Sequence, residues 1–518
     1  MSNPAVLPVR TDFTSLVNKT LPFFLFLRIF TTSPGGYIAR GNRRKQQRER
    51  KAMNILLVHL NPLIRTYQLG LAYIASSLRK RGHDVTFLSL TGPEKKAIVR
   101  KLDDTTDMVF ISVTSDSFEL CRKTVAIITA RTRGKVPILL GGIHPTVCPE
   151  ACIGLEGVTG ICIGEGEDAA CELADRMSEG NGYTEIMNLW IKKDGVIHKN
   201  ELRPLIDPLD RLPFPDYGLF RNYVDFRILP VIVSRGCSYR CFYCCNNTLH
   251  SLYRKKGRYL RYHSVEYGIA MIRSILAEFS EFEVVEFYDD TLTLNKPWLH
   301  RFMNEFSRLN IKFVCNSRFD TIDEETIRLL ADSGCVKLNM AVESGSPEIR
   351  KKVLGRDISN EEIIDIAHLL KKYRIDLHTH NMVGVPYETE KDILETVELN
   401  RRIKPETTVV SIFNPYPKTV LGEMCEKENW IDRNLKTTSY FDFSVLRTPA
   451  ISPGLVNYYF LIFPHLVYDS GLQLTIKKAL FWILHLRRNF LYRLLRNVLL
   501  KKTSPVIYNT VRRMMGNL

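Results

Sequence analysis

The sequence predicts an α/β protein: a doubly wound parallel sheet, then a partial (β/α)6 barrel, then a helical C-terminal region. Three observations predict it. Short, continuously apolar runs alternate with stretches of helical spacing from residue 54 onward, the pattern of parallel strands buried on both faces. The alternation lapses over residues 185–228 and resumes at 229. Beyond residue 420 helical patterns rich in apolar and basic residues replace it.

Residues 1–52 end in the basic run Arg40 to Lys51 and read as a flexible or surface-bound leader. The first strand is Asn54-Ile-Leu-Leu-Val-His-Leu. Leu69–Arg81 has helical spacing and stops at Gly82. Strand-like runs at Val85–Leu90, Met108–Val113, Pro137–Leu140 and Gly160–Ile163 complete a domain over 53–184. Ligands of such sheets sit at the carboxyl ends of the strands. The connector, 185–228, holds a hairpin-like piece at Asp194-Gly195 and a Pro-rich stretch, Asp210 to Asp216. The barrel, 229–420, offers strands at Val231–Ser234, Val284–Tyr288, Phe313–Asn316, Lys337–Val342, Asp376–Val383 and Val409–Phe413. Chemistry in barrels of this type collects at the carboxyl ends of the strands. The C-terminal region, 421–518, includes a basic amphipathic pattern over Gln473–Lys502.

The net charge of +16 is unevenly placed: residues 1–52 carry +8 and residues 471–518 carry +10, leaving the body at −2. A near-neutral body argues against a nucleic-acid enzyme with a basic active face, while the basic ends suit anionic lipid or RNA. The 12 cysteines lack regular spacing, which fits a reducing, cytoplasmic setting and a metal or catalytic role. No membrane span is predicted. Leu21–Leu27 is too short, and uncharged Thr448–Tyr468 is broken by Pro449, Pro453, Gly454 and Pro464. The latter reads as buried core or an interfacial segment.

Ser234-Arg-Gly-Cys237-Ser-Tyr-Arg-Cys241-Phe-Tyr-Cys244 follows the first barrel strand. Iron of an iron–sulfur cluster takes soft thiolates, and close spacing lets one loop wrap it. Zinc would need a fourth Cys or His, and Cys245 stands too close to Cys244 to serve the same metal. The pattern, with Tyr243 before the last cysteine, resembles the signature of the radical S-adenosylmethionine (SAM) superfamily over about residues 230–420. The resemblance implies that Cys237, Cys241 and Cys244 hold a [4Fe–4S] cluster whose fourth iron binds SAM. Reductive cleavage of SAM then gives a 5′-deoxyadenosyl radical. It further implies SAM contacts at four strand ends: Asp289, Arg318, Glu343 in Glu-Ser-Gly, and Gly384 in Gly-Val-Pro.

Gly141-Gly142-Ile-His144-Pro and Gly164-Glu165-Gly166-Glu167 each follow a buried strand, where glycines let backbone approach a large ligand. With the Leu69-Gly-Leu-Ala-Tyr-Ile helix they resemble the cobalamin-binding domain that precedes the barrel in one subclass, over about residues 54–180. That likeness marks Gly141, Gly142, His144 and Glu165 as cobalamin contacts. The Asp-x-His-x-x-Gly motif that supplies a cobalt ligand in many such domains is missing; the equivalent loop reads Asn61-Pro-Leu-Ile-Arg-Thr.

The resemblance implies a cobalamin-dependent C-methyltransferase. One SAM methylates cobalamin, a second yields the radical that abstracts hydrogen from an unactivated carbon, and the methyl group is then delivered there. A non-methylating radical reaction, such as oxidative cyclisation or rearrangement, is the alternative within the superfamily; a catalytically silent cobalamin or cluster sensor is the alternative outside catalysis. Expected partners are a small-molecule or lipid-like substrate and a reductant such as flavodoxin or ferredoxin, with no nucleic acid. Peripheral contact at the inner face of the membrane is a further expectation.

Overall fold

The computed structural model describes residues 51–63, 65–435 and 439–486, the last eight by backbone alone. The basic leader and the tail beyond 486 lie outside the described residues. The first sheet has seven strands: β1 (Asn54–Leu60), β2 (Asp84–Leu90), β3 (Met108–Ser112), β4 (Ile138–Gly141), β5 (Gly160–Cys162), β6 (Leu189–Lys193) and β7 (Val196–Lys199), in the order β2-β1-β3-β4-β5-β6-β7. The first five run parallel. Their order reverses beside β1, so β1 and β3 flank a topological switch point. Strand β1 is buried on both faces, with Ile55 and Leu57 in one core and Leu56, Val58 and Leu60 in another. Each such side chain contributes roughly 1.5–3 kcal/mol by burial.

The hairpin expected at the start of the connector pairs with this sheet instead. Strand β6 runs antiparallel to β5, and β7 to β6, so the sheet extends to residue 199. Its one-sided burial hides it from a search for continuous apolar runs: Trp190 and Lys192 alternate with Leu189 and Ile191.

Strand β8 (Ile228–Val231) opens the second sheet, starting three residues before the run that the sequence suggested. A short antiparallel pair, β9 (Ser234–Arg235) and β10 (Arg261–Tyr262), brackets the cysteine loop. The sheet continues through β11 (Val284–Phe287), β12 (Lys312–Ser317), β13 (Cys335–Glu343), β14 (Asp376–Val383) and β15 (Thr407–Ile412). Its order, β15-β14-β13-β12-β11-β8, is sequential and parallel throughout. Edges β8 and β15 do not pair, so the six units form an open barrel. Local chemistry starts the crossover helices: Ser359 with Glu362, and Thr389 with Asp392, form capping boxes on helices Asn360–Lys372 and Glu390–Ile403.

One core runs from Ile55 and Leu57 through the connector residues Leu209, Tyr217 and Phe220 to Leu229 and Val231 of the barrel. The two sheets are thus fixed to each other within the unit that begins at Glu49. Helix Pro453–Tyr468 packs Val456, Ile462 and Phe463 on β14, β15 and Ile393, so one face of the uncharged Thr448–Tyr468 stretch is core while Pro449, Ala450, Ser452 and Tyr468 are exposed. No helix among the described residues is long and apolar enough to cross a membrane.

Candidate active site

The cysteine loop is fixed at its start by Asp289, at the end of β11. Its carboxylate accepts hydrogen bonds from Val233 N (3.1 Å) and Ser234 N (2.6 Å) and from the Ser234 hydroxyl. Burial pushes this carboxyl up to about 7, and those donors hold it back. Asp289 thus braces the loop and also lines the cavity between the two sheets. Gly236 follows with φ +92°, and a Cβ there would stand 2.5 Å from the Tyr259 carbonyl oxygen. Only glycine admits that turn into Cys237.

Cys237 and Cys241 are buried and Cys244 is half-buried. Burial pushes the Cys237 thiol up to about 11. Arg318 Nη1 lies 3.6 Å from Cys241 Sγ, to which it donates. Among the described residues no three Cys, His, Asp or Glu side chains are gathered around one point. Three soft donors distributed along one loop fit a cluster, whose irons are separate corners.

Three further predicted residues meet this loop. The Tyr243 hydroxyl donates to Glu343 Oε1 (2.8 Å), tying the last turn of the loop to the end of β13. Glu343 has φ +63°, a backbone strain of roughly 1–3 kcal/mol that persists only where the surroundings enforce it. Burial raises its carboxyl, and Arg356, with Nη1 3.5 Å away, opposes the rise. Arg318 is paired with Asp320 through two bonds of 2.8 and 2.7 Å and lies 3.5 Å over the Tyr239 ring. Its fork is thereby held in a fixed plane. Gly384 follows β14; a Cβ there would meet Val456 Cγ1 at 2.6 Å, and its nitrogen donates to buried Glu388 at 2.6 Å, while the adjacent Met382 and Val385 share a core cluster with Phe242 and Tyr243 of the loop.

The other wall belongs to the first sheet. A cavity of about 570 Å³ is lined by the segments after β1 (Gln68, Leu71), β3 (Ser112–Thr114), β4 (Gly141–Ile143) and β5 (Gly164–Glu167). Facing them are Ser234–Gly236, Cys245, Asn246, Tyr253 and Asp290 of the barrel. The cavity thus spans the switch point of one sheet and the cluster loop of the other. Gly142 has φ +99°, and a Cβ there would lie 2.9 Å from the Val113 carbonyl. Glycine at this position leaves bare backbone as cavity wall. Phe110, Leu139 and Leu173 supply apolar surface beside it. A glycine and apolar wall fits the face of a large macrocycle such as cobalamin.

His144 is not part of that wall. Its ring packs 4.3 Å from Phe118, its Nδ1 is 3.0 Å from Ser115 Oγ, and burial pushes it down to about 4. Its place is explained by the turn after β4, which carries it behind the glycines. No histidine among the described residues lines the cavity. Glu165 lines the cavity, but its carboxylate accepts from Ile206 N (2.7 Å), Arg235 and Arg261. Sequence reasoning missed Arg235, Arg261, Arg356 and Glu388. Arg235 lies inside the cysteine motif, whereas the others carry no local sequence signal.

A sheet with a glycine-lined switch point facing a three-cysteine loop on an open (β/α)6 barrel defines a radical SAM enzyme with a corrinoid-binding domain. The radical SAM superfamily model matches residues 231–399, and the B12 binding domain model matches residues 58–174. An uncharacterized methyltransferase of Pyrococcus horikoshii is 30% identical over 375 residues, which cover 70% of this chain and 79% of that protein. The chain belongs to the radical SAM superfamily, in the group that carries a B12-binding domain. The first domain type implies a [4Fe–4S] cluster and SAM, the second cobalamin. The fold is shared with the radical SAM methyltransferase TsrM of Kitasatospora setae (TM-score 0.62, 18% identity, 81% of this chain and 89% of that one). It is shared also with the cobalamin-dependent radical enzyme OxsB (TM-score 0.58, 20% identity, 73% of this chain and 56% of that one).

Proposed function

We propose that this enzyme methylates an unactivated carbon atom. The observation that carries the reading is the single cavity bounded by the glycine wall of the first sheet and by the cysteine loop of the barrel. When bound, the cluster and SAM supply an adenosyl radical and the corrinoid supplies a methyl group. The residues of the chain do the rest. Cys237, Cys241 and Cys244 would hold the cluster, and Asp289 ties the start of their loop to the end of β11. Glu343, with Tyr243 and Arg356, offers acceptor and donor groups at the end of β13 for the polar part of SAM. Arg318, braced by Asp320 and Tyr239, offers a guanidinium beside Cys241 for a carboxylate. The apolar lining excludes water, which would otherwise intercept a reactive intermediate. No proton-transfer pair is required.

The test is anaerobic turnover with methyl-labelled SAM, cobalamin and a flavodoxin- or ferredoxin-type reductant. Label in a carbon–methyl product together with 5′-deoxyadenosine is the expected result. Only 5′-deoxyadenosine would replace the reading with oxidative cyclisation or rearrangement; neither product would replace it with a sensor.

A lipid-like substrate at the inner face of the membrane is the substrate class we favour. Leu472 (75% exposed) and Ile476 (58%) stand one turn apart on helix Gly471–Leu486, and residues 471–518 carry +10 with no acid. That combination suits an anionic lipid surface. Flotation with anionic liposomes checks it: the full chain floats and a chain ending at residue 470 does not. Equal flotation of the two removes the idea.

A further inference from the structure

The Glu165 and Glu167 carboxylates lie on the first sheet's side of the cavity, and Arg235 and Arg261 on the barrel's side. Arg235 Nη1 is 3.0 Å from Glu165 Oε1, and Arg235 Nη2 is 2.6 Å from Glu167 Oε1. Arg261 Nη2 is 2.9 Å from Glu165 Oε1, and its Nη1 is 2.6 Å from the Ile206 carbonyl. The side chains of Arg261 and Glu167 are 4% and 5% exposed. Two cations and two anions close a neutral, mostly buried group. A third link runs through backbone: the Tyr253 hydroxyl, from the segment after the cysteine loop, accepts from Glu165 N at 3.0 Å. Burial works to raise the Glu165 carboxyl, but Arg235 and Arg261 outweigh it and hold it below the usual range.

Position decides what this group does. Glu165 and Glu167 flank Gly166 in the wall after β5, and Arg235 is two residues ahead of Cys237. A buried ion pair adds little net stability, because desolvation offsets attraction, whereas removing one partner strands the other charge. Its directional bonds fix geometry instead. Resting on the function proposed above, we infer that Glu165 and Glu167 are positioning residues: a charged latch that sets the span between the glycine wall and the cysteine loop, and so couples radical formation to methyl transfer. Neither carboxylate is a catalytic residue on this account.

A second tether lies elsewhere: the Tyr416 hydroxyl is 3.0 Å from Asp116 Oδ2, joining the loops after β15 and β3. Loss of the latch therefore leaves the domains attached. The test compares wild type with Glu165→Gln and Glu167→Gln, with Glu281→Gln in an exposed pair as control. Amide hydrogen exchange on protein without cobalamin or SAM is the first readout. Glu165→Gln raises exchange roughly tenfold or more at 164–167 and also at 234–237, on the opposite wall. Methylated product per 5′-deoxyadenosine is the second readout, and it falls by a similar factor while cluster absorbance is unchanged. If Glu165→Gln fails to fold, Glu167→Gln carries the test, because Glu165 still holds both arginines. Unchanged exchange at 234–237, or an unchanged product ratio, overturns the latch. A wild-type enzyme that forms no methylated product removes the proposed function, and the exchange arm still decides the latch.

Discussion

The sheet that forms one wall of the cavity and the barrel that forms the other are built to meet ligands by different means. The first wall is backbone and hydrocarbon: Gly141, Gly142, Gly164 and Gly166 beside Phe110, Leu139 and Leu173. The second carries charge: Arg235, Arg261, Asp289 and Asp290 line it, and outside that lining the cysteine loop is braced by Arg318 on Asp320 and Tyr239 and by Glu343 on Tyr243 and Arg356. A broad macrocycle needs area and close approach, which side chains would block. A small zwitterion beside a cluster needs fixed charges, which loose side chains would blur. The contrast says that substitutions on the two walls should fail differently.

The largest expected effect is on the barrel wall. Replacing any one of Cys237, Cys241 or Cys244 by Ala reduces 5′-deoxyadenosine formation to background and removes the brown chromophore, while hydroxocobalamin still binds. Loss of both ligands together would break the comparison. On the opposite wall, Gly142→Val forces a branched side chain into φ +99° against the Val113 carbonyl. At roughly 1–3 kcal/mol of strain, hydroxocobalamin binding weakens about ten- to hundredfold, with the cluster spectrum intact. Spectral titration reads it.

A smaller effect follows from Glu343→Gln, which removes a charge facing Arg356 but keeps the shape. SAM binding, followed by calorimetry, weakens by about tenfold, in line with the ~1.5 kcal/mol or more of a charge-assisted bond. Unchanged SAM affinity would reassign Glu343 to loop bracing alone. The smallest effect is common to both domains. Burial pushes His59 and His144 of the first domain down to about 4, and His380 of the barrel likewise. Below the ordinary value of 6.5 the unfolded chain takes up protons that the folded chain refuses. The stability that these histidines contribute is therefore full above pH 7 and is lost as pH falls from about 6.5 toward 4, while Asp289, held up to about 7, acts in the opposite sense. The unfolding midpoint of His59→Asn accordingly falls less with acid than that of the wild type.

The sequence made the scaffold legible because parallel strands buried on both faces are nearly pure apolar runs, as in β1 and β3. It blurred where burial is one-sided, as in the hairpin β6–β7. It also placed β8 late: Ile228-Leu-Pro-Val is interrupted by Pro230, which an edge strand tolerates. At the site, the three cysteines stand out by their spacing, whereas Tyr243, Arg318 and Glu343 are singled out only by the resemblance to the superfamily's motifs. The directions of Asp289, His144 and Glu165 were not legible, because an acid or a histidine at a strand end reads alike whether it faces the ligand or its own loop. Arg356 reaches Glu343 across 13 residues and Arg261 reaches Glu165 across 96, distances over which no local pattern operates.

The account stands on the glycine wall and the segments flanking the cysteine loop meeting at one cavity, which would bring the two redox centres close together. Electron paramagnetic resonance of anaerobic enzyme, loaded with cob(II)alamin and with its cluster reduced, measures that directly. Dipolar broadening of the cobalt signal on cluster reduction, absent when Cys237, Cys241 and Cys244 are alanine, is the predicted result. A cobalt spectrum indifferent to the oxidation state of the cluster contradicts it.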